Sequence, residues 1–297
     1  MTRKQPKKIE MPSDPTAPAA LAASVAAAFA NLPDVAAVAL AGSGVTGAAD
    51  EQSDVDLYVY AGAPIAMADR VAIATGFATR AEVGNDFWEP GDEWIDTQTG
   101  RHVDVMYRTP AGIEEQLKRV LVRHEASVGY STCFWHNVLH STALFDRSGW
   151  YRNLQATAAR PYPQPLRRAI IARNHPILRQ TLSSYLAQIE RAVRRGDSVS
   201  IQHRVTALLA SYFDVLFAVH ELPHPGEKRL LQFAATRCTK TPLDMEAQIN
   251  TLLETAARPA TQVVVTHVNA LLNNLDDLLA NERLIPVAHN ADRWLPR

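Results

Sequence analysis

The stretch from Val38 to Tyr60, VALAGSGVTGAADEQSDVDLYVY, limits what this chain can be more than any other part of it. An apolar run from Val35 to Ala41 stops at Gly42-Ser43. After a ten-residue spacer, Asp54-Val55-Asp56 opens a second apolar run, Leu57 to Tyr60. Alternate residues of a strand point to the same side, so Asp54 and Asp56 project together while Val55 and Leu57 face a core. Two carboxylates about 7 Å apart along a strand suit a hard divalent cation. Magnesium takes few protein carboxylates and fills its shell with water and phosphate oxygens. At Gly42-Ser43 a missing side chain, a hydroxyl and free backbone N–H groups let a phosphate come close.

The chain has 297 residues, enough for two domains. A net charge of −1 gives no overall pull toward nucleic acid. Two distant cysteines, Cys133 and Cys238, fit a reducing cytoplasm, and no run of about 20 apolar residues calls for a membrane. The basic MTRKQPKKIE and the prolines after it read as a disordered tail over 1–15. Helix is expected over Ala19–Leu32, strand over Val35–Ala41 and Leu57–Tyr60, and an amphipathic helix over Ile65–Arg80. Glu93–Thr97 and His102–Arg108 read as a hairpin whose second strand carries Asp104 on the side of His102 and Met106. Helices are expected over Ile113–Arg123 and Thr132–His140, with Leu144-Phe145-Asp146 a short apolar step. ArgProTyrProGlnPro, Arg160 to Pro165, is the clearest linker. Beyond it come helices at Leu166–Arg195, Val199–Leu222, Glu227–Arg237, Asp244–Ala257 and Thr261–Glu282. The expected class is α+β: a small mixed sheet with helices over 16–159, then an all-α bundle over 160–297.

Leu40-Ala41-Gly42-Ser43, Asp54-Val55-Asp56-Leu57 and a third strand acid in Val103-Asp104-Val105-Met106 follow in order. This pattern resembles the polymerase-β-type nucleotidyltransferase superfamily. Ser211–Ala218 and His224–Leu230 look like bacterial nucleotidyltransferase-domain proteins with a C-terminal helical domain, distantly similar to aminoglycoside nucleotidyltransferases. The resemblance implies transfer of a nucleoside monophosphate from a nucleoside triphosphate to an acceptor hydroxyl, on a small molecule or a protein, with release of pyrophosphate. It implies two Mg2+ ions bridged by Asp54 and Asp56. Asp104 holds the ion at the nucleophile or takes its proton. Gly42, Ser43, Ser53 and Lys228 are the expected triphosphate contacts.

Six acids between Glu82 and Asp96 are interleaved with Phe87, Trp88 and Trp94. Glu89, Glu93 and Asp96 are therefore the expected contacts of a cationic, ring-bearing acceptor, against a merely solvated hairpin. Glu89 or Glu93 is an alternative general base to Asp104. His102, His136 and His140 read as packing or surface groups, since no third ligand completes a zinc site. Eight arginines between Arg167 and Arg204 read as ion-paired helix faces, which argues against a nucleic-acid partner. Two other readings compete: a nucleotide-sugar glycosyltransferase, disfavoured by the Gly-Ser turn and the third acid, and a non-catalytic, antitoxin-like nucleotide-binding regulator, disfavoured by the intact carboxylates.

Overall fold

The computed structural model describes residues 17–41, 54–87 and 89–285. The chain divides into two compact units. The first comprises Met1–Lys118 with Asn137–Arg160, and the second Arg119–His136 with Pro161–Arg297. The linker at 160–165 begins the second unit's longer segment, yet 119–136 belongs with the helices that follow rather than with the sheet.

In the first unit, α1 (Ala17–Ala30), β1 (Val35–Leu40), β2 (Val55–Ala61), α2 (Met67–Phe77), β3 (Ala78–Asn85), β4 (Gly91–Asp96) and β5 (His102–Arg108) follow in order. Then come α3 (Pro110–Leu121) and α4 (Cys133–His140), each divided between the two units, and, again in the first, β6 (Thr142–Asp146) and α5 (Trp150–Ala158). The strands form one mixed sheet in the order β3-β4-β5-β2-β1-β6. β2 and β5 are parallel, and every other neighbouring pair is antiparallel. The expected α+β architecture is present, with two local differences. The helix expected to run to Arg80 ends at Phe77, and Ala78–Asn85 forms an edge strand. Most of that strand is exposed, so it lacks the alternating pattern that would announce it. The apolar step at Leu144 is part of β6, paired along β1.

Alternation sorts the two faces of this sheet. Val38, Val55, Leu57, Val59, Val103, Val105 and Trp94 are buried in one cluster with Val25, Ala26 and Phe29 of α1. On the other face, Tyr60 packs against Trp150 and Tyr151 of α5, with ring centroids 5.5 and 5.0 Å away. The Asn137 amide donates to the Tyr58 hydroxyl at 3.2 Å. Asp54 and Asp56 stand at the start of the same strand face.

The second unit contains α6 (Gln164–Arg179), α7 (Tyr185–Arg195), α8 (Ser198–Val219), α9 (Leu230–Arg237), α10 (Met245–Ala256) and α11 (Gln262–Asn281). The single helix expected over 166–195 is two. Pro176 supplies no N–H to the helix ladder, α6 ends three residues later, and Ser184 restarts the helix by accepting from the Ala187 N–H. The helix expected from Glu227 begins at Leu230, after Arg229 in left-handed conformation. A buried carboxylate explains why 119–136 joins this unit. Asp214 of α8 accepts from the Ser131 N–H at 3.1 Å, the Ser131 hydroxyl and the Asn174 amide at 3.1 Å. Asn174 in turn accepts from the Gly129 N–H at 2.9 Å. Among the described residues no helix is long and apolar enough to cross a membrane.

Asp92, one of the acids expected on a solvated hairpin, is buried instead. It accepts from Nε and Nη2 of Arg70, from the Tyr107 hydroxyl and from the Gly84 N–H at 2.9 Å, and the Arg70 guanidinium lies 4.3 Å from the Tyr107 ring centroid. This site ties α2 to β3, β4 and β5. Removing one partner leaves the other charge without compensation, so Asp92→Ala is expected to cost about 3–5 kcal/mol of stability in urea denaturation. Asp86→Ala, on the exposed turn, is expected to stay within about 0.5 kcal/mol.

Candidate active site

The alternation that buries Val55, Leu57, Val103 and Val105 places Asp56 and Asp104 on the opposite face. β2 and β5 pair in parallel with Asp56 directly beside Asp104. On the other side of β5, antiparallel β4 sets Glu93 directly opposite Asp104. Asp56, Asp104 and Glu93 therefore form a row across three strands, with strand axes about 4.8 Å apart. Asp54 is at the head of β2, one step up the same face. His102 stands two residues before Asp104, with Nδ1 3.9 Å from Asp54 and Nε2 3.5 Å from Glu93. The Asn85 amide holds Glu93 from β3 at 3.1 Å.

Partial burial pushes the Asp104 carboxyl up to about 6. The charges of Asp56, Glu93 and Asp54 push the same way, and His102 opposes them. The donor set is hard oxygen of the kind magnesium takes. Among the described residues, no three acidic, histidine or cysteine side chains converge tightly enough to hold a metal as they stand. The carboxylates of Asp56, Asp104 and Glu93 share a face. Magnesium needs only one or two of them, with water and substrate phosphates completing its shell, so the row fits such an ion.

The remaining sequence expectations divide. Gly42, Ser43 and Ser53 lie outside the described residues. Lys228 is exposed in the turn before α9, in the second unit. Glu89 is engaged by Arg108 at 3.0 and 2.9 Å, and that guanidinium stacks 3.9 Å from the Tyr58 ring centroid. Asp96 is buried, and its carboxylate accepts from the Thr99 N–H and hydroxyl, both at 2.7 Å, closing the hairpin turn. The Asp96 carboxylate thus closes its own hairpin turn. Of the three acids expected at the acceptor, Glu93 alone stands in the row. His102, expected to be a packing or surface group, sits between two of its acids. The length of the β4–β5 turn was the available signal, because turn length sets register and so sets Glu93 opposite Asp104.

In metal-free protein, Asp104 is expected to titrate near 6 by carboxyl NMR, with a lower midpoint in Asp56→Asn once a like charge is gone. Its raised value favours the fold below the ordinary carboxylate range. That contribution is lost as pH rises from about 4 to 6.

Residues 24–126 match the nucleotidyltransferase domain family. No curated protein matches the chain in sequence. Among solved structures, a nucleotidyltransferase-like protein from Exiguobacterium sibiricum is 13% identical, with a TM-score of 0.41 over 88% of this chain and 74% of that one. The CCA-adding enzyme of Thermotoga maritima, solved with tRNA, is 12% identical, with a TM-score of 0.31 over 89% and 82%. A STING-associated c-di-GMP synthase from Capnocytophaga granulosa is 11% identical, with a TM-score of 0.28 over 89% and 80%. Such scores carry no argument about what this chain acts on. The match to the nucleotidyltransferase domain family spans β1 to β5 and every acid of the row.

Proposed function

We propose that this protein is a magnesium-dependent nucleotidyltransferase, which moves a nucleoside monophosphate from a nucleoside triphosphate to an acceptor hydroxyl and releases pyrophosphate. The row Asp56–Asp104–Glu93, with Asp54 beside it, in a domain of this family carries the reading. Asp54 and Asp56 would hold the metal, with Asp104 at the nucleophile's side. Bound there, magnesium supplies positive charge to the triphosphate and to the entering and leaving oxygens. Asp104, with its carboxyl pushed up to about 6, is suited to accept the acceptor's hydroxyl proton near neutral pH. The freed oxygen attacks the α-phosphorus, the bond to the bridging α–β oxygen breaks, and pyrophosphate carries away that electron pair. Gly42, Ser43, Ser53 and Lys228 are assigned to the triphosphate on their sequence positions. Glu93 is assigned to a cationic acceptor.

The test is incubation with ATP, GTP, CTP or UTP labelled at the α-phosphate, with magnesium and candidate acceptors including the protein itself. Label transfer with pyrophosphate release is expected, and Asp56→Asn is expected to lower it by about 10³-fold or more. Triphosphate binding with no release under any acceptor would leave the regulator reading in its place.

Asp104→Asn is expected to lower kcat while changing triphosphate Kd less than Asp54→Asn does, because a proton acceptor acts chiefly in the transition state. Equal loss of binding in both variants would contradict this division. With a cationic acceptor in hand, Glu93→Gln is expected to raise acceptor KM without moving triphosphate KM, and the effect is expected to shrink as salt rises.

A further inference from the structure

Asp56 and Asp104 are fixed by the ladder between β2 and β5, which pairs them directly. Asp54 is not, because β2 begins at Val55 and Asp54 stands just ahead of the first pair of that ladder. Magnesium demands near-ideal octahedral geometry of its ligands, so a carboxylate at a strand head has to be aimed by something else. The described side chain that faces it is His102. Nδ1 of that ring lies 3.9 Å from Asp54 Oδ1, and Nε2 lies 3.5 Å from Glu93 Oε2. The other Glu93 oxygen, Oε1, accepts from the Asn85 amide at 3.1 Å. Asn85, Glu93, His102 and Asp54 are thus successive neighbours, running from β3 through β4 and β5 to the head of β2.

His102 is half-buried at the first position of β5, with Ile95 directly opposite it on β4. A histidine that only keeps a strand soluble would turn a nitrogen to water. Here the two nitrogens are turned to acids on either side of β5. Glu93, itself held by Asn85, sets the direction of the ring and leaves Nδ1 for Asp54. Neighbours that orient a metal-binding side chain without touching the metal are a regular part of metal sites, and losing one costs about 10–100-fold in affinity. No metal bond is assigned to His102 itself, since among the described residues no three metal-binding side chains converge. The separation of 3.9 Å from Asp54 is longer than a hydrogen bond, and contacts of this kind tighten when an active site is loaded.

We propose that His102 is a positioning residue of the metal site: braced by Glu93 and Asn85, it holds the Asp54 carboxylate in the orientation that receives magnesium. The proposal rests on the assignment of Asp54 and Asp56 to the metal in the transferase reading.

The experiment is titration of the full chain with Mn2+, which shares magnesium's preference for carboxylate and water oxygens, read by the electron paramagnetic resonance signal of the free ion. Wild-type protein is expected to bind Mn2+, and Asp54→Asn to lose most of that affinity. His102→Ala is expected to weaken binding by about 10-fold or more. His102→Asn, whose amide nitrogen can stand where Nδ1 stands, is expected to restore most of the loss, which a change in packing alone would not do. Circular dichroism and Tm establish that each variant is folded. If the alanine variant is not, His102→Gln, whose longer side chain carries its amide toward Glu93, is expected to bind Mn2+ as weakly as alanine would. Affinity unchanged without His102, while Asp54→Asn is impaired, overturns the proposal and leaves the metal assignment standing. Tighter binding without His102 overturns it as well, because the ring would then repel the ion rather than aim its ligand. A loss that Asn does not repair overturns it too. No Mn2+ binding by the wild type, or none lost in Asp54→Asn, removes the metal assignment and the proposal with it.

Discussion

The parallel pairing of β2 with β5 is the constraint on which the first unit depends. Val55 to Tyr60 runs beside Val103 to Arg108 in unbroken register, and that register sets Asp56 next to Asp104. A slip of β2 by one residue would turn Asp56 into the cluster around Phe29 and bring Val55 out to water. Burial of the valines on one face therefore holds the carboxylates together on the other. Parallel strands also require a long crossover, and here it contains α2 and the β3–β4 pair. The crossover is more than a connection, since β4 returns to the open edge of β5 and adds Glu93 to the row.

Three half-buried or buried acids show how differently this chain treats the same group. Asp92 meets a guanidinium, a phenol and a backbone N–H, and it fastens a helix to three strands. Asp214 is surrounded by neutral donors from Ser131 and Asn174, and burial still pushes it up to about 6. Asp104 faces mainly other acids, with His102 as the opposing charge. The first two organise structure. The third is a standing demand for positive charge at a surface open enough to receive it.

Much of the sheet unit was legible from spacing alone. The alternation through Asp54-Val55-Asp56 and Val103-Asp104-Val105 names the strands and their inward faces, and the family match covers the same residues. What was not legible is which hairpin acids reach that face. Six acids within 15 residues look alike in a sequence, but alternation sends Asp92 and Asp96 inward with Trp94 and leaves Glu93 outward with Ile95. Arg108, Arg70 and Thr99 then take up Glu89, Asp92 and Asp96, and those partners lie up to 22 residues away. The helical half was legible as a bundle from 160 onward, but not the segment 119–136 that joins it. The membership of 119–136 depends on Asp214, 83 residues beyond Ser131. Edge strand β3 was invisible for a different reason: with so little of it buried, nothing in its composition had to alternate.

That same strand bears on how the molecule behaves when it is crowded. An edge of unpaired N–H and C=O groups can recruit strands from other chains and seed aggregation. β3 breaks register with β4 between Ala78 and Arg80 and again between Val83 and Asn85, where Gly84 takes a left-handed φ of 84°. A bulge adds twist and re-aims the backbone on either side of it. The regular template is thereby cut to Arg80–Val83, which carries an exposed Arg80 and Glu82. A sheet whose β3 edge is this short and this charged is poorly suited to growing by addition at that edge.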